Sequence, residues 1–146
     1  MIAVDRVRER VTSMAKSEHW QLEPDPSDYD AASRYLSLRL SPARASALAD
    51  DLESAPIVNH RANDLLRSSG LPLLPENDPE VAKDLKRVKK GEKLAPVLLV
   101  RRGQLDSAVI VADGYHRICA SYRLDEDAEI PCRIVDDLAS DTAEPI

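Results

Sequence analysis

Residues 109–122, VIVADGYHRICASY, run from four apolar positions through Asp113-Gly114 into a string of good helix formers. A strand that turns this sharply into a helix constrains the fold more than any other stretch, because it requires a sheet with a helix packed beside it. It also leaves free backbone N–H groups at the helix start, where the dipole favours an anion. Gly114 permits the tight turn and lets a ligand approach the backbone. His116 and Arg117 are poorly placed for stability there, since cations in a first helical turn oppose the dipole. A bound phosphate reverses that cost: Arg forks onto two oxygens and His donates a third bond. The spacing therefore points to a phosphate or carboxylate site.

Around this junction the period of the chain changes. APVLLVRR (95–102) and SAVIVAD (107–113) are short β-rich runs joined by GQLD, as an antiparallel pair or as neighbouring strands. A helix is expected over about 115–124, then a third strand at IPCRIV, 130–135. Ahead of them the pattern is helical. Val4, Val7, Val11 and Met14 form the stripe of a surface helix, suited to packing on the body or on a second subunit. SEHWQLEPDPSDYD is a connector with Trp20 as its anchor, and 28–39 and 41–55 read as a helical hairpin. Ser41 caps the second helix, Pro42 takes its first position, and Ala45, Leu48 and Leu52 give it a buried face. A further helix is expected over about 59–69, ended by Gly70. Asp78 caps the next one, Pro79 and Glu80 suit its first turn, Val81, Leu85 and Val88 line one side, and Lys89, Lys90 and Gly91 close it.

Composition narrows the function classes. The 146 residues are 43% hydrophobic and 32% charged, which suits one globular domain with a real core. The formal net charge of -6 makes an overall grip on a phosphate backbone unexpected, so nucleic acid is not the anticipated partner. With no run of 18 apolar residues and an amphipathic, charged start, the chain is expected to be cytoplasmic and away from membranes. Cys119 and Cys132 lack CxxC or CxxH spacing and read as reduced, buried small hydrophobes.

DPEVAKDLKRV, APVLLV, VIVADGYHRICASY and IPCRIV follow one another over about 74–136. In this succession the chain resembles the ParB/sulfiredoxin superfamily: a helix capped by aspartate, an extended strand, a second strand, and a Gly-x-[His/Arg]-Arg turn opening an alanine-rich helix. The resemblance implies an α+β fold: a small mixed β-sheet with packed helices, about five in all. The chain would be a single domain over 1–146, with a helical N-terminal elaboration at 1–70, the superfamily core at 71–136 and an acidic tail at 137–146. It also implies nucleotide binding at the turn, with ATP, ADP or CTP and Mg²⁺ as the expected ligands. Sulfiredoxins place a cysteine directly before the His-Arg pair, where this chain has Tyr115, so their chemistry is not expected. ParB proteins carry Gly-Glu-Arg-Arg there and a DNA-binding helix-turn-helix after it, for which about ten residues remain. The Asp-Gly-His-x-Arg turn of ADP-dependent free serine kinases differs by placing its histidine one residue earlier.

On this reading Gly114, Tyr115, His116 and Arg117 hold phosphates, and Lys83 and Lys86 approach the cleft from the preceding helix. Asp113 would bind Mg²⁺ or accept a proton from a hydroxyl substrate, with His116 as its catalytic companion. Each has a plainer alternative. Asp113 can be an Asx turn or N-cap, His116 a satisfied half-buried histidine, Arg117 a bridge to Asp125 or Glu126, and the lysines a solvated helix face. His60 and Arg61 are a conceivable second polar contribution. The expected function is nucleotide or phosphate binding, as a small phosphotransferase or nucleotide hydrolase. The alternative is a non-catalytic regulatory or partner-binding module that oligomerises or docks through its N-terminal helices.

Overall fold

The computed structural model describes residues 19–103 and 107–137. Its elements follow in the order α1 (Pro26–Leu36), α2 (Pro42–Ser54), β1 (Ile57–Arg61), α3 (Ala62–Ser69), α4 (Pro79–Lys89), β2 (Val97–Arg102), β3 (Ile110–Asp113), α5 (Tyr115–Leu124) and β4 (Glu129–Asp137). The four strands form one mixed sheet in the order β1-β4-β2-β3: β2 runs parallel to β4, while β1 and β3 pair antiparallel at the edges. Five helices and this mixed sheet make the protein mixed α and β among the described residues.

Side-chain alternation along the central strands explains why both helical groups are needed. Val97, Leu99 and Val111 face one cluster, with Leu65 and Leu66 of α3, Val81 of α4 and Ile118 of α5. Leu98, Val100, Ile110 and Ala112 face the other, with Ala32 and Leu36 of α1 and Ala45, Leu48 and Leu52 of α2. All of Val97 to Val100 is buried, as expected of strands covered on both faces. Each such side chain contributes about 1.5–3 kcal/mol on leaving water. Trp20 anchors the connector in the first cluster, where its neighbours His19 and Gln21 exchange backbone bonds with Leu94.

Local signals account for most boundaries. Ser41 accepts from the Arg44 N–H, Asp78 accepts from Glu80 and Val81, both at 3.1 Å, and Gly70 closes α3 in the left-handed region. α1 starts two residues before the expected helix, at Pro26, through a reciprocal cap between Asp25 and Asp28.

Two expectations are corrected. The helix expected over 59–69 is a strand, Ile57–Arg61, followed by the shorter α3. The strand is an edge exposed along its length, so it needs no apolar alternation, and Asn59-His60-Arg61 gave none to read. Consequently 1–70 is not a purely helical elaboration: it supplies a strand to the sheet and the layer that covers one sheet face. The apolar stripes of α1 and α2 are buried against that face rather than offered to a partner. The Val4–Met14 stripe, most of the GQLD connection and the acidic tail beyond Asp137 lie outside the described residues. Among the described residues no helix is long and apolar enough to cross a membrane.

Candidate functional site

β2 and β3 pair as Leu98↔Asp113 and Leu99↔Val111, so Ala112 is an extra residue, a bulge at the strand end. Bulges bend a strand and re-aim the side chains beside them. Here the bulge delivers Asp113 to the turn, and Gly114 follows as the N-cap of α5 with φ of 110°. A Cβ at Gly114 would lie 2.5 Å from a methyl carbon of Val97. The glycine is therefore required by packing against the sheet as well as by its backbone conformation.

The turn opens into a cleft of about 230 Å³, continuous with solvent. Gly114, Tyr115 and His116 form its floor, α4 contributes Glu80, Asp84 and Arg87, and the start of α1 contributes Asp25 and Asp28. Lys93 and Gln21 complete the rim. Glycine has no side chain with which to cap a helix, so the first-turn N–H groups of α5 remain available to a ligand.

Arg117 borders the cleft with its guanidinium already engaged. Its guanidinium donates to Asp113 Oδ2 at 2.6 Å and to the carbonyl oxygens of Ala95 and Pro96 at 2.6 and 3.4 Å. Asp28 Oδ2 lies 3.7 Å away on the other side. All three side chains are largely covered, 13% exposed for Arg117, 17% for Asp28 and 19% for Asp113. The acidic neighbours of Arg117 are thus Asp113 and Asp28, not Asp125 or Glu126. Asp113 receives Arg117, while Gly114 occupies the cap position.

Burial pushes the Asp113 carboxyl above the usual carboxylate range; Arg117 pulls it back and Asp28 pushes it further up. Asp84 is raised for the same first reason, opposed by Arg117 and Arg87. Tyr115 is raised by burial, and its hydroxyl donates to the Pro72 carbonyl at 2.5 Å while its ring tilts against His116. Its OH is committed to the fold, and its ring forms one wall beside the histidine.

Lys83 and Lys86 are exposed and absent from the cleft lining. The Val81, Leu85 and Val88 side of α4 packs on the core, and the flank turned to the cleft carries Glu80, Asp84 and Arg87 instead. His60 lines a separate, largely apolar groove with Leu65, Leu99, Val109 and Ile134, and Arg61 pairs with Asp64 and Asp127. Neither reaches the cleft. Among the described residues no three His, Cys, Asp or Glu side chains converge to hold a metal ion, so Asp113 has no ready-made ligand set around it. Cys119 and Cys132 are free and buried, as their spacing suggested; burial raises both thiols, Cys132 to about 12.

Asp28 and Asp84 line the cleft without having been singled out by the sequence pattern, and Arg87 and Lys93 stood in it only as part of a basic, solvated helix face. Asp84 and Arg87 stand at i and i+3 with Glu80 a turn earlier, a polar flank beside an apolar stripe. That signal was present; which flank of the stripe meets the cleft is decided only by packing. The chain matches no protein-family model, no curated protein and no solved structure.

Proposed function

We propose that the protein binds a nucleotide through its phosphates at the first turn of α5. The observation that carries this reading is the uncapped N-terminus of a ten-residue helix, with Gly114 at its N-cap, opening into a polar cleft with room for phosphate groups. Backbone N–H groups of the turn would meet phosphate oxygens, with the His116 side chain donating from the floor. Arg87 and Lys93 take the places expected of Lys83 and Lys86. The motif succession over about 74–136 supports the same ligand class.

The balance of charge specifies the form of that ligand. Five carboxylates line the cleft, Asp25, Asp28, Glu80, Asp84 and Asp113, against the cations Arg87, Lys93 and Arg117. A bare polyphosphate would meet a net negative wall, so it would enter with a divalent cation such as Mg²⁺, which Asp113 would face. The cation would arrive with the phosphates.

A second reading, a regulatory module that binds without turnover, is favoured by the pairing of Asp113 with Arg117. A carboxylate held 2.6 Å from a guanidinium is a poor general base. A thermal-shift screen with ATP, ADP and CTP, with and without Mg²⁺, tests both. Binding a hundred times above its dissociation constant adds about 2.7 kcal/mol of stability. One nucleotide should raise the melting temperature only with Mg²⁺, and His116→Ala should abolish the rise. Product formed on incubation selects the enzyme; stable complex without product selects the module; no shift with any nucleotide rejects the site.

A further inference from the structure

We infer that Asp28, on α1, is a positioning residue that sets the phosphate affinity of the α5 turn by competing for Arg117. The inference rests on the nucleotide reading of the cleft and specifies how that site is regulated.

Arg117 is held by contacts of unequal strength. Its bonds to Asp113 and to the Ala95 carbonyl, both at 2.6 Å, are short and charge-assisted, and come from the strand end and the segment just before β2. Asp28 at 3.7 Å is outside hydrogen-bond range and attracts by charge alone. It is therefore the contact that a phosphate oxygen can replace with least loss. Asp28 is also not abandoned when Arg117 turns: its Oδ2 already accepts the Asp25 N–H at 3.0 Å, in the cap that opens α1. The exchange trades a distant ion pair for a direct one and leaves no buried group without a partner.

Position adds a second effect of the same sign. Asp28 and Asp113 both line the cleft, so each repels an incoming phosphate while each holds the Arg117 guanidinium at the turn. Asp28 comes from the helical layer and Asp113 from the sheet. Because α1 packs on β3, movement of Arg117 toward a phosphate loosens a tie between those layers. Occupancy of the cleft would be felt at the start of α1.

The test uses the full chain and Mg²⁺-pyrophosphate as the probe, followed by titration calorimetry. Asp28→Asn removes the charge and keeps an oxygen for the Asp25 N–H, and is expected to tighten binding about three- to tenfold. Asp30→Asn makes the same change of charge on the exposed side of α1 and should leave affinity within twofold. In an Arg117→Gln background the tightening by Asp28→Asn should shrink to the part that direct repulsion of the phosphate supplies, within about twofold, a shrinkage that a purely local role in the helix cap would not produce. Binding by the wild type that is indifferent to Asp28→Asn, or equally sensitive to Asp30→Asn, overturns the inference and leaves the nucleotide site standing. Absence of binding by wild type and Asp28→Asn alike removes the site itself, and the inference with it.

Discussion

Two arginines border the same sheet, Arg133 over one face and Arg117 at the strand ends, and they are held by different chemistry. Arg133, on β4, donates to the carbonyl oxygens of Glu53 at 2.5 Å and Ala55 at 2.8 Å, where α2 ends, with the exposed Glu23 as a distant counter-charge. Arg117, on α5, is held by the Asp113 carboxylate and the Ala95 carbonyl, with Asp28 farther off, and both carboxylates border a cleft. Carbonyls at a helix end need a donor under all conditions, so Arg133 is a permanent fastening. Carboxylates can take protons or metal ions, so Arg117 sits in an arrangement that can change. Near-equal burial thus conceals a difference in function that the identity of the acceptors reveals.

Substitutions should separate the two regions. The largest loss is expected from Arg133→Ala, which strands the carbonyls at the end of α2: about 4 kcal/mol in urea unfolding, with nucleotide affinity unchanged. A loss under about 1 kcal/mol would break the comparison. Gly114→Ala meets Val97 and a φ of 110°, and should cost about 3 kcal/mol, roughly 10 °C in melting temperature, from strain and overpacking together. Arg117→Gln should cost less, about 2 kcal/mol, because Asp28 and Asp113 can turn to water, yet lower Mg²⁺-nucleotide affinity at least tenfold.

A smaller effect concerns pH. Asp113 and Asp84 have folded-state values raised above the ordinary range, so on acidification the folded protein takes up these protons before the unfolded chain does. That contribution makes stability rise as pH falls from neutral toward the carboxylate range. Asp84→Asn should remove part of the rise, seen by comparing melting temperatures at pH 7 and 5; an unchanged slope would mean that Asp84 is not desolvated. The smallest effect is a null one: neither cysteine should react with a thiol reagent at pH 8 in the native protein, and both should react in denaturant.

The sequence made one side of this comparison legible. Asp113, Gly114 and His116 could be placed at a strand-to-helix turn because a change of period and a glycine mark it locally. The strands at 97–102 and 110–113 and the caps at Ser41 and Asp78 were readable for the same reason. Arg133 was hidden inside IPCRIV, a strand legible as such, because nothing local says that β4 lies inside the sheet or that Arg133 meets α2. Asp28 was hidden because its role depends on α1 crossing the end of β3 and meeting Arg117, 89 positions away. β1 escaped for want of any alternation to report.

The strand order carries a consequence for biosynthesis. Among the described residues β1 is made before β4, the one strand it pairs with, and α1 and α2 have no sheet to cover until Val97 to Val100 emerge. Two amphipathic helices therefore wait with uncovered apolar stripes while the segment up to β2 is synthesised, and the step that closes the sheet joins parts far apart in sequence. Folding should be limited in rate by that closure.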